Sequence, residues 1–332
     1  MKIIFSESSN LNNSIYGNCQ APIKMFLEKR GEDFEQNSVL KNLFLMSSSK
    51  NYADMMTTLT AMSGFEPVGE NGAYPLDGMQ EGYQKLLKYQ TWKDSFSVSK
   101  EMVEDGKLLD MRKQPAAFMT SYNRTRELFG AALYGAAMMG NGSVTFKGVK
   151  FDLTGADGSN LFAKEHAPKV SGDKQCNLFK DAFSVDALGK LETKMHLFRG
   201  DNDEILDVAP DTILIPENAD LKKTVFAAIG ADKDPVTANN AFNYQYGRWN
   251  VIVWPYLNHY ITNGVAPWVL LDSKYNETYG GAVWNDRIQL EVRSTIDENT
   301  DANVWRGRSR FNACFNDWRF AAIGGIAAGN SL

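Results

Sequence analysis

The chain has 332 residues, of which 43% are hydrophobic and 12% aromatic. It is too apolar for a disordered protein and long enough to bury one large core or two smaller ones. The formal net charge of −5 gives no global electrostatic reason to bind nucleic acid. Three widely spaced cysteines without a CxxC pair argue against a disulfide framework or a zinc site. With no secretory signal and no apolar run of membrane length, we expect a soluble protein made in a reducing cytoplasm.

The first hundred residues are predicted to be extended and to contribute few buried residues to a hydrophobic core. Residues 1–62 are rich in Ser, Asn and Met, with only short helical hints such as 52–62, and they resemble an arm that cannot form a core alone. Glycines and two prolines make residues 64–82 irregular. Residues 91–98 alternate between apolar and polar, which predicts a half-buried strand. Paired with residues 83–90, this strand would form a two-stranded arm that needs a partner surface.

The longest helical pattern runs from Pro115 to Met139, where Gly140-Asn141-Gly142 ends it. Proline is favoured in the first turn of a helix, so we expect the helix to begin there. The opposite side carries Arg124 and Arg126 and is expected to face solvent or another subunit. The stripe that we expect to be buried consists of Phe118, Tyr122, Thr125, Phe129, Leu133 and Ala136.

The second half of the chain predicts a compact domain at roughly 182–275. A hairpin over 144–153 precedes it, with its turn at Lys147-Gly148. Ser184 and Asn218 are suited to cap two helices. Three apolar runs, at 212–215, 250–254 and 268–271, abut prolines, which end a strand without the loss of an internal ladder bond. Their continuous apolarity predicts a central sheet covered on both faces by helices.

The C-terminal part predicts antiparallel strands with one solvated face. Residues 287–293 and 310–316 both alternate between apolar and polar side chains. Between them we expect a charged loop that ends in residues 305–308.

No motif for catalysis, cofactor or metal binding stands out, so we predict none of these sites. The three histidines pair neither with each other nor with a cysteine at ligand spacing. The acidic run at 201–207 lacks the glycine and glutamate of an EF-hand loop. Much of the apolar surface lies in segments that cannot fold alone, which implies a partner, most economically copies of the same chain.

The ordered set of motifs resembles the major capsid proteins of tailed bacteriophages, which have the Hong Kong 97-type fold, and among them the Mu-like head subunits. No single motif is specific, but the set spans about half of the chain. The motifs are LFAKEH at 161–166, Asn177, FSVDAL at 183–188, PDTILIP at 210–216, NVIVWPYL at 250–257, WVLLD at 268–272 and DWRF at 317–320.

The resemblance implies an α+β capsid fold and an order of domains along the chain. An N-terminal arm and an extended E-loop would reach neighbouring subunits, and a long spine helix would lie in the P-domain. The A-domain would hold a central mixed sheet flanked by helices. The implied bounds are arm 1–62, E-loop 63–107, first part of the P-domain 108–181 with the spine helix at 115–139, A-domain 182–275, and P-domain return strands 276–332, of which the last could rejoin the A-domain.

The resemblance also implies assembly rather than catalysis. Hexamers and pentamers of the chain would tile an icosahedral head around packaged double-stranded DNA, in a virion assembled in the bacterial cytoplasm. The arm lacks a charged coiled-coil segment, so scaffolding protein, maturation protease and portal would be separate proteins, and decoration proteins are further candidate partners. No membrane is involved. The residues expected at subunit contacts are Trp92, Phe96, Arg112, Arg124, Arg126, Trp305 and Arg306.

Two alternatives stay open. An encapsulin-like nanocompartment shell shares the fold but encloses enzymes. A soluble α+β hydrolase or carbohydrate-binding protein would use acids such as Asp201, Asp203 and Glu204, and it would be a compact monomer with a pocket.

Overall fold

A computed structural model describes residues 3–8, 11–59, 65, 67–74, 76, 81–170, 172–201, 203–230, 243–262 and 264–326. The strands are β1 (Ile4–Glu7), β2 (Leu45–Ser48), β3 (Ala53–Leu59), β4 (Glu81–Lys88), β5 (Gln90–Val98), β6 (Ser143–Phe146), β7 (Val149–Asp152), β8 (Thr212–Pro216), β9 (Asn250–Trp254), β10 (Trp268–Leu271), β11 (Ala282–Ile296), β12 (Asn303–Phe315) and β13 (Ala321–Gly324). The helices are α1 (Gly17–Asn37), α2 (Leu40–Leu43), α3 (Lys100–Glu104), α4 (Leu108–Met138), α5 (Val185–His196), α6 (Ala219–Ile229) and α7 (Ser273–Tyr279).

The first sheet has the order β1-β11-β12-β5, and β2 also pairs with β11. Its centre is the long antiparallel pair β11 and β12, as the alternating pattern predicts. The strands are longer than expected: residues 305–308, predicted as the end of a charged loop, lie inside β12. Trp305 and Gly307 face the buried side there while Arg306 and Arg308 face solvent, so the charges of this segment belong to a half-solvated strand.

Helix α4 covers this sheet with its apolar stripe. Phe129 packs against the stacked rings of Trp284 and Phe311 from the sheet, with ring centroids 5.6 and 6.0 Å away. The predicted start at Pro115 is wrong, because the helix begins at Leu108 and contains the proline. An internal proline removes one helical hydrogen bond. The extra turns persist because they carry Met111 into a small second core.

The N-terminal segment is more ordered than its composition suggests. The 21-residue α1 was not predicted; it packs against α4 through Ile23 and Leu27. Strands β1 and β2 both join β11 in parallel. The helical hint at 52–62 is wrong: Ala53–Leu59 is a strand, and residues 60–62 lie outside the described part of the chain.

Strands β3 and β4 form an antiparallel two-stranded ribbon. We call these two strands the ribbon, and we call residues 60–80, which join them, the tip. The predicted pairing of 83–90 with 91–98 is wrong, because β4 pairs with β3 while β5 pairs with β12. The irregular region expected at 64–82 is described at residues 65, 67–74 and 76, which form no helix or strand, and residues 81 and 82 already belong to β4; the rest of it lies outside the described residues.

The second sheet has the order β13-β10-β8-β9 and holds the three predicted apolar strands. All four residues of β10 and all five of β8 are buried. Pro216 is the last residue of β8, and Asn218 then caps α6 by accepting from the amides of Asp220 and Leu221 at 3.0 and 3.1 Å. Ser184 caps α5 in the same way.

The predicted hairpin is β6–β7, with both turn residues at positive φ. No helix among the described residues is long and apolar enough to cross a membrane.

Candidate intersubunit surfaces

The tip of the ribbon presents large apolar side chains to solvent. Among its described residues, Phe65, Tyr74 and Leu76 are almost completely exposed, and Val68 is about half exposed. The sequence between residues 51 and 84 contains acidic residues but neither Lys nor Arg. Exposed apolar side chains grouped in this way are typical of contact surfaces, so the tip is a candidate contact surface.

The base of the ribbon, in contrast, is held by polar contacts. The Tyr89 hydroxyl donates to Asp54, and Asn285 of β11 donates to the same carboxylate at 3.2 Å. Lys85, whose side chain is 9% exposed, lies 3.1 Å from Asp152 of β7. Burial raises the pKa of Asp152, but the charge of Lys85 and the hydrogen bonds from Thr154 and Lys85 together outweigh it and lower the pKa, so this carboxylate is ionised at neutral pH. The ribbon therefore projects in a fixed direction.

A groove of about 670 Å³ runs between α1 and the start of α4. Its floor is apolar and includes Ile23 and Met111, and Met25 at its edge is largely exposed. The charged side chains that line it are the basic Lys29, Arg30 and Arg112 and the acidic Asp33, so the basic ones predominate. Arg112 is thus one of the predicted contact residues that the fold leaves exposed, in a basic and apolar surface of opposite charge to the tip.

The three predicted aromatic contacts lie within the subunit. Trp92 stacks on Phe311 at 5.2 Å and Phe96 stacks on Trp305 at 5.9 Å. Trp305 has no exposed surface, and Trp92 and Phe96 are only partly exposed. These ring contacts hold β5 against β12 in the first sheet.

Of the four predicted arginines, one pairs internally and three face solvent. Arg126 donates to both carboxylate oxygens of Asp286 at 2.8 and 3.0 Å, and its guanidinium lies 4.8 Å from the Trp284 ring. Arg124 is exposed on α4, and Arg306 is exposed on β12 beside Thr295, to which it donates at 2.9 Å. Among the arginines that we predicted, Arg112, Arg124 and Arg306 are therefore available to another subunit in this conformation.

A second concavity, of about 800 Å³, lies between α1, α4 and β9. Its notable group is Glu127, which accepts from the Ser38 hydroxyl at 2.6 Å and from the Trp254 indole at 3.1 Å. Burial raises the pKa of this carboxyl, although both hydrogen bonds oppose the shift. Glu127 thus joins the N-terminal segment, the long helix and the second sheet.

Another group of exposed aromatic side chains lies near the second sheet, on and beyond α6. Phe226 on α6 and Tyr244 and Tyr246 beyond it are each about half exposed, on either side of residues 231–242, which the structure does not describe. They form a candidate contact surface that the sequence analysis did not single out.

The structure brings several of the sequence motifs together in a buried polar cluster. His166, Asn177 and the 317–320 segment converge beside the second sheet, where His166 stacks on Trp318 at 4.2 Å. The Nε2 atom of the histidine also lies 3.1 Å from the Asn177 amide oxygen, so its ring is enclosed by contacts within the subunit. No group of three or more acidic, histidine or cysteine side chains that could hold a metal ion occurs among the described residues.

Comparison with known proteins identifies the family. The family model described as phage capsid protein matches residues 83–324. No curated protein matches the chain. Solved structures that resemble it include the capsid of cyanophage P-SCSP1u (8% identity, TM-score 0.49, covering 87% of this chain and 88% of that one). The procapsid of bacteriophage JBD30 (14%, 0.45, 93% and 75%) and the SrpI encapsulin complex from Synechococcus elongatus (11%, 0.48, 87% and 86%) are also similar.

These structural similarities are too low to assign a function, whereas the family model covers well over half of the chain. The α+β architecture with its ribbon, long helix and second sheet is the Hong Kong 97-type fold of such proteins. The role is structural, in the capsid of the virion, where copies of the chain assemble with one another. The chain belongs to the phage capsid protein family.

Proposed function

We propose that the chain is the major head subunit of a tailed bacteriophage or prophage, of the Mu-like kind, and that hexamers and pentamers of it form an icosahedral shell around double-stranded DNA. The observation that carries this is the family match over residues 83–324. The uncovered apolar tip of the ribbon supports it, since such a tip needs a partner surface. The net charge of −5 suits a container that does not grip its DNA tightly.

We further propose that the tip of one subunit lies on the groove between α1 and α4 of its neighbour. The tip offers apolar side chains and the acids Glu66, Glu70 and Asp77. The groove offers an apolar floor with basic residues around it, Arg112 among them. Complementary charge guides association and fixes register, while burial of apolar surface supplies affinity. Arg124 and Arg306 would contact neighbours elsewhere on the shell.

In this proposal the domains implied by the resemblance keep their roles. The second sheet and its helices form the A-domain, and α4 with the first sheet forms the P-domain. Scaffolding protein, maturation protease, portal and any decoration protein are separate partners that act in the host cytoplasm, and the subunit itself catalyses no reaction.

Expression of the chain alone and together with its neighbouring gene products, followed by electron microscopy and light scattering, tests the proposal. We expect shells, tubes or rings of five or six subunits. Small closed shells that carry a cargo enzyme would instead support the encapsulin-like alternative. A monodisperse particle near 37 kDa in every condition would contradict assembly and favour the hydrolase or carbohydrate-binding alternative.

A further inference from the structure

His166 lies where the chain crosses from one sheet to the other. Residues 316–320 carry the chain from β12 in the first sheet to β13 in the second. Trp318 of this crossing stacks on the His166 ring with an interplanar angle of 12°. The histidine comes from the loop between β7 and α5, and its side chain is 1% exposed. Its protonation state therefore affects the contact between the two halves of the subunit.

The orientation of Asn177 shows that Nε2 of His166 carries a proton. The Asn177 amide nitrogen donates to the carbonyls of Leu161 and Ala321 at 2.8 and 3.0 Å. Its oxygen accepts from the amide of Ala163 at 3.0 Å. These three bonds fix which side of the amide faces the histidine, and it is the oxygen, 3.1 Å from Nε2. An oxygen acceptor at this distance requires a donor opposite.

The other ring nitrogen faces a carboxylate. Nδ1 of His166 lies 2.7 Å from Oδ2 of Asp157, whose side chain is 6% exposed. Oδ1 of Asp157 accepts from the amide of Ser159 at 3.1 Å. With Nε2 already protonated, a neutral imidazole would present a lone pair to an ionised carboxylate. The 2.7 Å contact therefore requires one more proton between Nδ1 and Oδ2.

The surrounding charges favour the same conclusion. Arg319 of the crossing lies 2.9 Å from Asp201 and 3.3 Å from Asp317, and all three side chains are less than a tenth exposed. This guanidinium therefore already faces two carboxylates. Asp157 is a third buried carboxylate in the same cluster, and a proton on the His166–Asp157 pair neutralises it.

Two further groups face this cluster from neighbouring segments. Tyr83 of β4 donates from its hydroxyl to the carbonyl of Ala167, and Lys169 lies over the Tyr83 ring. Burial, and then the charges of Asp201 and Asp157, raise the pKa of Tyr83. The phenol is therefore neutral around pH 7 and supplies no compensating charge.

We propose that a proton held between Nδ1 of His166 and Oδ2 of Asp157 is part of the folded subunit, and that its loss at raised pH loosens the join between the two sheets. An unfolded chain releases the histidine proton around pH 6.5. Above that pH the folded state binds one proton more than the unfolded state. Stability contributed by the pair is thus fully present at lower pH and is lost as pH rises.

The variant Asp157→Asn tests this because it preserves both hydrogen bonds without the extra proton. An asparagine amide donates to a bare Nδ1, while its oxygen still accepts from Ser159. We expect the folding equilibrium constant of the wild type, relative to D157N, to fall about tenfold per pH unit above about pH 6.5. Urea unfolding of unassembled subunits from pH 6 to 9 measures this. His196→Gln, which alters a partly exposed histidine beside Asp207, is the control and should follow the wild type.

Parallel pH profiles for wild type and D157N would overturn the proposal. If D157N does not fold, the nitrogen NMR signals of the wild-type subunit, labelled at its three histidines, give an independent answer. At pH 7.5 we expect one histidine to give the nitrogen signals of a ring that is charged or that shares a proton at Nδ1. These signals should be absent from the spectrum of H166Q, which assigns them to His166. A His166 signal typical of a neutral ring with an unbonded Nδ1 would overturn it as well.

Discussion

Replacement of Arg126 by methionine distinguishes a structural ion pair from a subunit contact. Arg126 forms a two-fold hydrogen bond with Asp286, and the two side chains are 14% and 21% exposed. Methionine keeps most of the apolar stem beside Trp284 and Phe311 but leaves the carboxylate without its cation. The indole of Trp284 still donates to Asp286 at 3.1 Å, and this is one hydrogen bond where three existed.

Loss of one partner from a buried pair costs about 3–5 kcal/mol, because the other charge stays buried. Both side chains keep some contact with water, so we take the lower value, about 3 kcal/mol, which corresponds to a roughly 150-fold fall in the folding equilibrium constant. The double variant R126M/D286N should recover part of this loss, because it removes the uncompensated charge.

Denaturant unfolding of unassembled subunits, followed by tryptophan fluorescence, measures the change. Arg124→Met, on the exposed face of the same helix, is the matched control and should change stability by no more than about 0.5 kcal/mol. A loss below about 1 kcal/mol for R126M, or equal losses for both variants, would refute the reasoning. Normal stability of R126M with failed assembly would favour the intersubunit role predicted from the sequence.

Three further predictions concern other parts of the subunit. Gly307→Ala should cost about 1–3 kcal/mol in unfolding experiments, because its Cβ would lie 2.3 Å from Phe118, whereas Gly69→Ala, with open space around it, should cost much less. Because burial raises the pKa of Glu127, its contribution to stability falls as pH rises from about 4.3 to that raised pKa, so the wild type should lose stability relative to Glu127→Gln over this interval; curves that stay parallel from about pH 4 upwards would contradict this. Arg112→Glu should reduce particle yield in electron micrographs without a change in subunit stability, and equal yields would exclude the groove as a contact.

The hydrophobic pattern and the capping residues identify three of the four strands of the second sheet and its two longer helices from the sequence, because these signals are local. A strand buried on both faces must be apolar throughout, and β8 and β10 are. The side chains of Ser184 and Asn218 act on amides within three residues. Nothing distant is needed to define these elements, and their positions were predicted to within a residue or two.

Helix α1 and the partner of β5 depend on distant contacts. Only four of the 21 residues of α1 are buried, so its apolar period is weak, and Pro22 lies inside it. Packing against α4, far along the chain, stabilises it. The pattern of β5 correctly predicts a strand, but pairing of Val98 with Asn303 crosses some two hundred residues and leaves no local signal.

The predicted contact residues also differ in whether local sequence or distant contacts determine their surroundings. Arg126 lies on the polar side of the helical stripe, which made it a reasonable solvent-facing residue. Its carboxylate partner comes from a strand 160 residues away, and aromatic rings complete the site. The exposure of Arg112, Arg124 and Arg306 agrees with a surface role, and their contacts with a neighbour remain a prediction that the R112E experiment begins to test.

The ribbon combines a fixed base with an uncovered tip, and this combination has an energetic consequence for assembly. The bonds from Tyr89, Asn285 and Lys85 order β3 and β4 within the isolated subunit. The conformational entropy of the strands is therefore lost during folding rather than at docking. Association then does not have to order these two strands, so a larger share of the interaction free energy appears as affinity. Weakening of the base should for this reason reduce assembly even though none of these base residues belongs to the tip.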